Sequence, residues 1–267
     1  MKAELYLYGE PAAPALDLPR IKAFLEALLP LNIHLREGFF SFWGKDRVEE
    51  LALGWARAKV RDPMKQDFPP PLHGEVEFEK RRLISPRPLF GLVYDGFLIR
   101  ALCHRLLPRQ EGGLSHIHVI FTNQLLGTWE EARYHIRTGV FGFPTLLSTM
   151  GAVEGPARPR EYYILKQQFA ALGMGDAAAV KLEQEFRERA LVHDDPRLTQ
   201  VMQGYVLQAL FYHLTGEAFC PERTCPLYNA HWQEEMLQAQ LKGELCPHHQ
   251  EELRRLRSIL EASAPTR

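Results

Sequence analysis

Three of the chain's 4 cysteines share one short stretch: Cys220-x4-Cys225, then 20 residues, then Cys246-x2-His249. Few patterns restrict a fold more, because this one obliges two separate turns to meet. Clustered cysteines in a reducing compartment favour metal over disulfide. Zinc takes four soft or borderline ligands in a tetrahedron, and two knuckles joined by an intervening helix supply that geometry. Pro221, Pro226 and Pro247 each follow a cysteine directly, which suits tight turns rather than regular helix. The expected ligand set is Cys220, Cys225, Cys246 and one histidine. His248 competes for the fourth place, and the C-x-x-H spacing favours His249. The expectation is one structural zinc with no open position for chemistry; the alternative is three unconnected buried thiols. Cys103, within Ala101-Leu102-Cys103-His104, reads as a separate buried thiol.

The remaining sequence is that of a globular chain. Its 267 residues are 46% hydrophobic, enough for one domain over 1–267 or for a mixed sheet-and-helix part, 1–195, followed by a helical zinc-knuckle part, 196–267. The formal net charge is -1, so nothing draws the chain in bulk to nucleic acid or an anionic membrane. Met1–Glu10 lacks the charged and apolar regions of a signal peptide, and no apolar run reaches the roughly 18–20 residues of a membrane span. A soluble, cytoplasmic protein is expected, with neither membrane nor nucleic acid as a partner.

Strands and helices alternate at first. Leu5–Tyr8 reads as a strand, Leu18–Leu29 as a helix and Ile33–Phe40 as a second strand. Asp46–Val60 reads as an amphipathic helix capped by Asp46. Pro63–Leu72 is a loop. Leu89–Ile99 turns around Tyr94-Asp95-Gly96, either between two strands or into a helix. His116–Thr122 and Arg133–Phe143 alternate as strands. Turn formers crowd Gly142–Pro159, leaving at most a short strand. Helical periodicity then covers Tyr162–Leu172, Ala177–Leu191, Pro196–Leu214, Asn229–Leu241 and Pro247–Glu261. Strands first and helices later predict an α+β or mixed α/β fold.

Before the cysteines the chain reads Ala209-Leu210-Phe211-Tyr212-His213-Leu214-Thr215-Gly216-Glu217-Ala218-Phe219-Cys220. This C-terminal part resembles the archaemetzincins, a metzincin-type branch of the metallopeptidases with the signature H-E-x-x-H-x-x-G-x-x-H-C-x4-C and a later C-x-x-C. His213 falls on the second histidine, Gly216 on the glycine and Cys220 and Cys225 on the first cysteine pair. Cys246 opens the second pair, and His249 stands at its last cysteine. Ala209 replaces the first zinc-binding histidine, Leu210 the general-base glutamate and Phe219 the third histidine; Leu227 stands where a methionine lies beneath the metal. The resemblance implies a metzincin-like fold, a twisted mixed sheet with helices, that keeps a structural zinc and has lost the catalytic one. Chemistry agrees: catalytic zinc needs about three protein ligands and an open site for water. His213 alone is one ligand, and with Leu210 no carboxylate takes the water's proton. The middle also resembles uncharacterised prokaryotic proteins labelled as metallopeptidases. That likeness rests on Tyr134-His135-Ile136-Arg137, Gly142-Phe143-Pro144, the run 148–162 and the run Asn229-Ala230-His231-Trp232-Gln233-Glu234-Glu235-Met236.

Two other polar groupings are candidates. Arg133, His135 and Arg137 alternate along one strand face, and the following loop adds Glu154, Arg158, Arg160 and Glu161. Fixed guanidinium groups suit bidentate recognition of carboxylate or phosphate. In a metzincin-like fold an edge strand lies along the substrate cleft, where a peptide can add as a further strand. A peptide or anionic small molecule is therefore expected at His135, Arg137, Glu154, Arg158 and Arg160, with internal ion pairing as the alternative. His193, Asp194, His213, Glu217, His231 and Glu235 form the pool for a relocated catalytic site; His231 and Glu235, four apart, share a helical face.

The favoured function is a non-catalytic peptide- or anion-binding relative of the archaemetzincins with one structural zinc. The alternative is an active metallopeptidase with a rearranged site. A third reading is an unrelated zinc-knuckle module whose helical tail binds a partner protein or nucleic acid, the near-zero charge arguing against the latter. Leu210 and Phe219 packed as an apolar plug in the cleft would fit the first reading.

Overall fold

Leu5 and Leu7 alternate with Tyr6 and Tyr8, and the strand they form lies inside the larger of two sheets. The computed structural model describes residues 3–85, 91–113 and 115–262. In chain order, β1 (Glu4–Tyr8), α1 (Leu18–Leu28), β2 (Asn32–Arg36), α2 (Phe39–Trp43), α3 (Val48–Ala58), β3 (Lys59–Val60), α4 (His73–Ile84), β4 (Val93–Asp95) and α5 (Gly96–Leu106) come first. Five strands follow: β5 (His116–Thr122), β6 (Leu125–Glu130), β7 (Arg133–Arg137), β8 (Gly139–Val140) and β9 (Thr145–Ser148). The helices α6 (Thr149–Glu154), α7 (Arg160–Ala171), α8 (Gly175–Phe186), α9 (Leu198–Thr215), α10 (Gln233–Leu237) and α11 (Pro247–Ala262) complete the chain.

The larger sheet has the order β2-β1-β5-β9-β8. Its first four strands are parallel, and β8 is an antiparallel edge. The smaller sheet, β3-β4-β6-β7, is also mixed. The fold is therefore mixed α/β, with two sheets where the sequence suggests one. On one face of the larger sheet, Leu5, Leu7, Ile117, Val119 and Phe121 pack against α1 and α9. On the other, Tyr8, Ile120 and Leu146 meet Phe39, Trp55, Tyr94 and Cys103. α9 is apolar on nearly every side, which is what a helix running through a core requires. The first cluster continues without a break from β1 to Cys220 and Cys225.

Several sequence expectations are corrected. β2 ends at Arg36, and Phe39–Trp43 is a short helix. Asp46 lies in a 3-10 turn, and Arg47 holds the cap position without a side-chain cap bond. Arg133–Phe143 is not one strand: β7 belongs to the smaller sheet and β8 to the larger, because the chain crosses between them at Thr138, whose carbonyl accepts from the Ser148 amide at 2.7 Å. Gly142–Pro159 holds β9 and α6, and the Ser148 hydroxyl caps α6 by accepting from Gly151 N. The helix expected over Ala177–Leu191 ends at Phe186. The one expected over Asn229–Leu241 starts only at Gln233 and widens to a π-turn over Gln238–Lys242. Leu89 and Phe90, the start of another expected segment, lie outside the described residues. No helix among the described residues is long and apolar enough to cross a membrane.

Candidate metal centre

α9 stops where its sequence says it must. Gly216 takes a left-handed φ of 86° and its amide returns to Tyr212 O, a conformation that glycine adopts without penalty. The chain then forms a knuckle: Cys220 N donates to Leu227 O at 2.9 Å, and Cys225 N to Glu222 O at 3.0 Å. Pro226 O in this knuckle accepts from Gln208 Nε2 of α9 and from Gln240 Nε2 of the π-turn. Cys246 immediately precedes α11, and His249 sits in that helix's first turn.

These elements bring Cys220, Cys225, Cys246 and His249 together, with one ligand atom from each lying within 4.8 Å of all the others. Cys220 Sγ stands 3.7 Å from Cys246 Sγ. His249 Nδ1 stands 3.1 Å from Cys246 Sγ and 3.9 Å from Cys225 Sγ. In a zinc tetrahedron with Zn–S near 2.3 Å and Zn–N near 2.0 Å, sulfurs are about 3.8 Å apart and sulfur and nitrogen about 3.5 Å. The donor set thus fits a tetrahedral ion, and the Cys3His group can hold a metal. His248 is exposed while His249 is buried, so His249 is the histidine in the group. Burial pushes the Cys220 thiol up to about 12 and raises that of Cys225. Burial, then the neighbouring His248, lowers the imidazole of His249. A cation that binds thiols displaces their protons. Three of the four residues are buried, and Cys246 is partly exposed.

Beside it lies a cleft of about 660 Å³. The edge strand β8, Phe141, Tyr205, Gln208, Phe219 and His231 line it. Ala209 and Leu210 are fully buried in the core. Phe219 is 46% exposed and meets Phe141 edge-to-face at 5.5 Å. Only Phe219 of the expected pair therefore faces the cleft. Leu227 is also a fully buried core residue.

A family model described as "Probable metallopeptidase family (DUF6775)" matches residues 1–256. The chain belongs to that family. No curated protein and no solved structure matches it.

In this member of the family the other predicted residues do not form one site. Arg137 lines the cleft, but its Nε donates to Thr128 Oγ1 at 2.8 Å and its guanidinium pairs with Glu130. Arg133 Nε donates to His135 Nε2 at 3.2 Å. Arg158 stacks over Tyr162, 4.6 Å from the ring centre, and Arg160 is exposed at the start of α7. Glu154 stands 3.8 Å from His193. Among the relocated-site pool, His193 and Asp194 line a separate small cavity. His231 lies outside α10, and its amide, not its ring, meets Glu235 at 3.4 Å. Sequence reasoning passed over Tyr205 and Gln208; the signal was a glutamine inside the otherwise apolar run Tyr205–Phe211.

Proposed function

We propose that this chain is an archaemetzincin-like, non-catalytic member of its metallopeptidase family, with a structural zinc at Cys220, Cys225, Cys246 and His249 and a cleft that takes an extended peptide. The observation that carries the reading is the position of β8, an edge strand paired on one side to β9, whose residues Gly139 and Val140 both line the cleft. An extended chain adds to such an edge through main-chain hydrogen bonds. Phe141 and Phe219 offer apolar contact for side chains of the incoming strand. Among the described residues, the Cys3His set is the one group of three or more His, Cys, Asp or Glu gathered closely enough to hold a metal, which supports a single ion per chain. When bound, zinc fixes the knuckle to the start of α11 and so contributes to folding. Leu210, buried in the core, puts no carboxylate where the motif has its general base, and Glu130 on the cleft wall is paired with Arg137.

Metal analysis of the purified chain should give one zinc, and a fluorogenic peptide library should be bound without cleavage. N-methylation of the peptide backbone, which removes the strand-adding donors, should weaken binding about ten-fold or more. The family's own description favours a second reading, an active metallopeptidase with a rearranged site. Two zinc ions per chain together with cleavage would establish it and end the first.

A further inference from the structure

The carboxyl ends of β2, β1, β5 and β9 lie along one border of the larger sheet. From β1 the chain moves outward to β2, then returns across β1 to β5. The direction of winding thus reverses between β1 and β5. In open α/β sheets the crevice outside the carboxyl ends at such a reversal is where ligands bind. Here it holds a cavity of about 230 Å³, walled by the residues that follow β1 and β2, by the end of β5, and by Trp55 and Arg82.

Its polar groups are incompletely paired. Seven buried side-chain polar atoms among the described residues lack a hydrogen-bond partner, and three belong to this wall: Trp55 Nε1, Arg82 Nη2 and Gln124 Oε1. Trp55 is 1% exposed, Gln124 3% and the Arg82 side chain 10%. Leaving such groups without partners is costly. The arginine is fixed in place: Nε donates to Glu79 Oε2 at 2.7 Å, and the guanidinium lies 4.2 Å over the Trp55 ring. Tyr94 donates to the other Glu79 oxygen at 2.8 Å, so Glu79 cannot swing away. Glu10, also in the wall, accepts from Ala12 N at 2.9 Å and Asn123 N at 3.0 Å. Phe39 and Phe40 add apolar surface.

The residues of the wall therefore carry one cation with a spare donor, a second spare donor, one spare acceptor, one carboxylate and aromatic faces. A simple anion leaves Gln124 Oε1 unpaired and meets Glu10; a simple cation meets Arg82. A group that carries both charges satisfies both ends. The volume holds roughly eight water-sized groups of about 30 Å³, the scale of one residue rather than a peptide. We propose that this cavity binds a free amino acid with an apolar side chain, its carboxylate on Arg82 and Trp55 and its ammonium on Gln124 and Glu10. This site is separate from the β8 cleft and does not depend on the peptide reading.

The test is calorimetric titration of the full, zinc-loaded chain with L-leucine and L-phenylalanine, then with the other standard amino acids. N-acetyl-L-leucine and L-leucinamide each remove one charged end. The expected result is saturable one-to-one binding of at least one apolar amino acid, with both capped forms about ten-fold weaker or more. Trp55→Phe keeps the ring in the core and removes the spare donor; it should bind several-fold more weakly while remaining folded by circular dichroism. Gln124→Met gives the same reading from the opposite end of the ligand. The proposal is overturned if no standard amino acid binds the folded protein with a dissociation constant below about 10 mM. It is equally overturned if the capped forms bind as well as the free amino acid, or if both variants bind it unchanged.

Discussion

His118 and His249 are 1% and 6% exposed, and burial lowers the imidazole pKa of both. Their surroundings differ. His118 Nε2 faces the Glu111 carbonyl at 3.0 Å, which can only accept, so Nε2 carries the proton and Nδ1 accepts from the Tyr8 hydroxyl at 3.0 Å. The Tyr8 oxygen in turn accepts from Arg36 Nη1 at 2.7 Å and Trp43 Nε1 at 3.0 Å. Arg36 closes the network with a bidentate pair to Glu111. Every group finds its complement within the protein. His249 instead points Nδ1 at two sulfurs, whose hydrogen bonds are weak but whose deprotonated forms bind metal strongly. A buried histidine with both nitrogens paired is a structural element of a core; one set among thiols can join a ligand set.

Removing the metal should expose this difference most strongly. Structural zinc carries binding free energy on the order of 10 kcal/mol that is also folding free energy. Chelation, or Cys225→Ser, should therefore release the ion and abolish the cooperative melting of the part after α9, while His118→Gln keeps full zinc content. Circular dichroism melts with parallel metal analysis decide it. Identical melts with and without chelator would show that His249 is no different in kind from His118.

The two adjacent histidines sharpen the assignment. His249→Ala should weaken zinc binding by more than about a hundred-fold, beyond the range expected for a residue outside the ligand set. His248→Ala should leave it unchanged, since that ring is exposed. Competition against a chromophoric chelator measures both, and a larger loss with His248→Ala would reverse the assignment.

For His118 the sign runs with pH. Its folded pKa lies near 4, below the ordinary 6.5, because burial disfavours the charged ring. The unfolded chain takes up a proton as pH falls through about 6.5, while the folded chain resists until about 4. Stability is therefore full above 6.5, declines between these values and levels off below 4. The whole effect is about 3 kcal/mol. Denaturant melts of wild type and His118→Gln at each pH isolate it, because losses elsewhere in acid are common to both. Parallel pH profiles would remove His118 as the cause.

The gathering of Cys220, Cys225, Cys246 and His249 into a group able to hold a metal was legible because the four are close in sequence. His118 carried no such signal: it is one polar position in an alternating strand, and its partners come from Tyr8 and Glu111. α4 escaped pattern reading because its fully buried position is Glu79, held by Tyr94 and Arg82, where periodicity expects an apolar side chain. β6 escaped because Gly127 reads as a breaker. A Cβ there would lie 3.0 Å from a Val93 methyl carbon and 3.2 Å from the Tyr134 ring, so the packing of three strands leaves a side chain little room. The cleft and the cavity at the carboxyl end of the sheet were invisible for one reason. Each is assembled from segments distant in the chain, and no local period encodes that meeting.

The smallest effect lies between helix and metal, at Gly216. Nothing stands within 4 Å of a Cβ built there, so space is not the constraint; the φ of 86° is. An alanine held in that left-handed conformation costs about 1 kcal/mol. The turn aims the chain from α9 toward Cys220, so the strain exists only when the knuckle is formed. Where knuckle formation is coupled to zinc, the cost appears in the metal affinity, as a loss of about five-fold, with little change in the melting of the metal-free chain. If Gly216→Ala instead lowers the melting point of the metal-free and zinc-loaded chains equally, the knuckle is already formed without metal. His249 would then be held, like His118, by the protein alone.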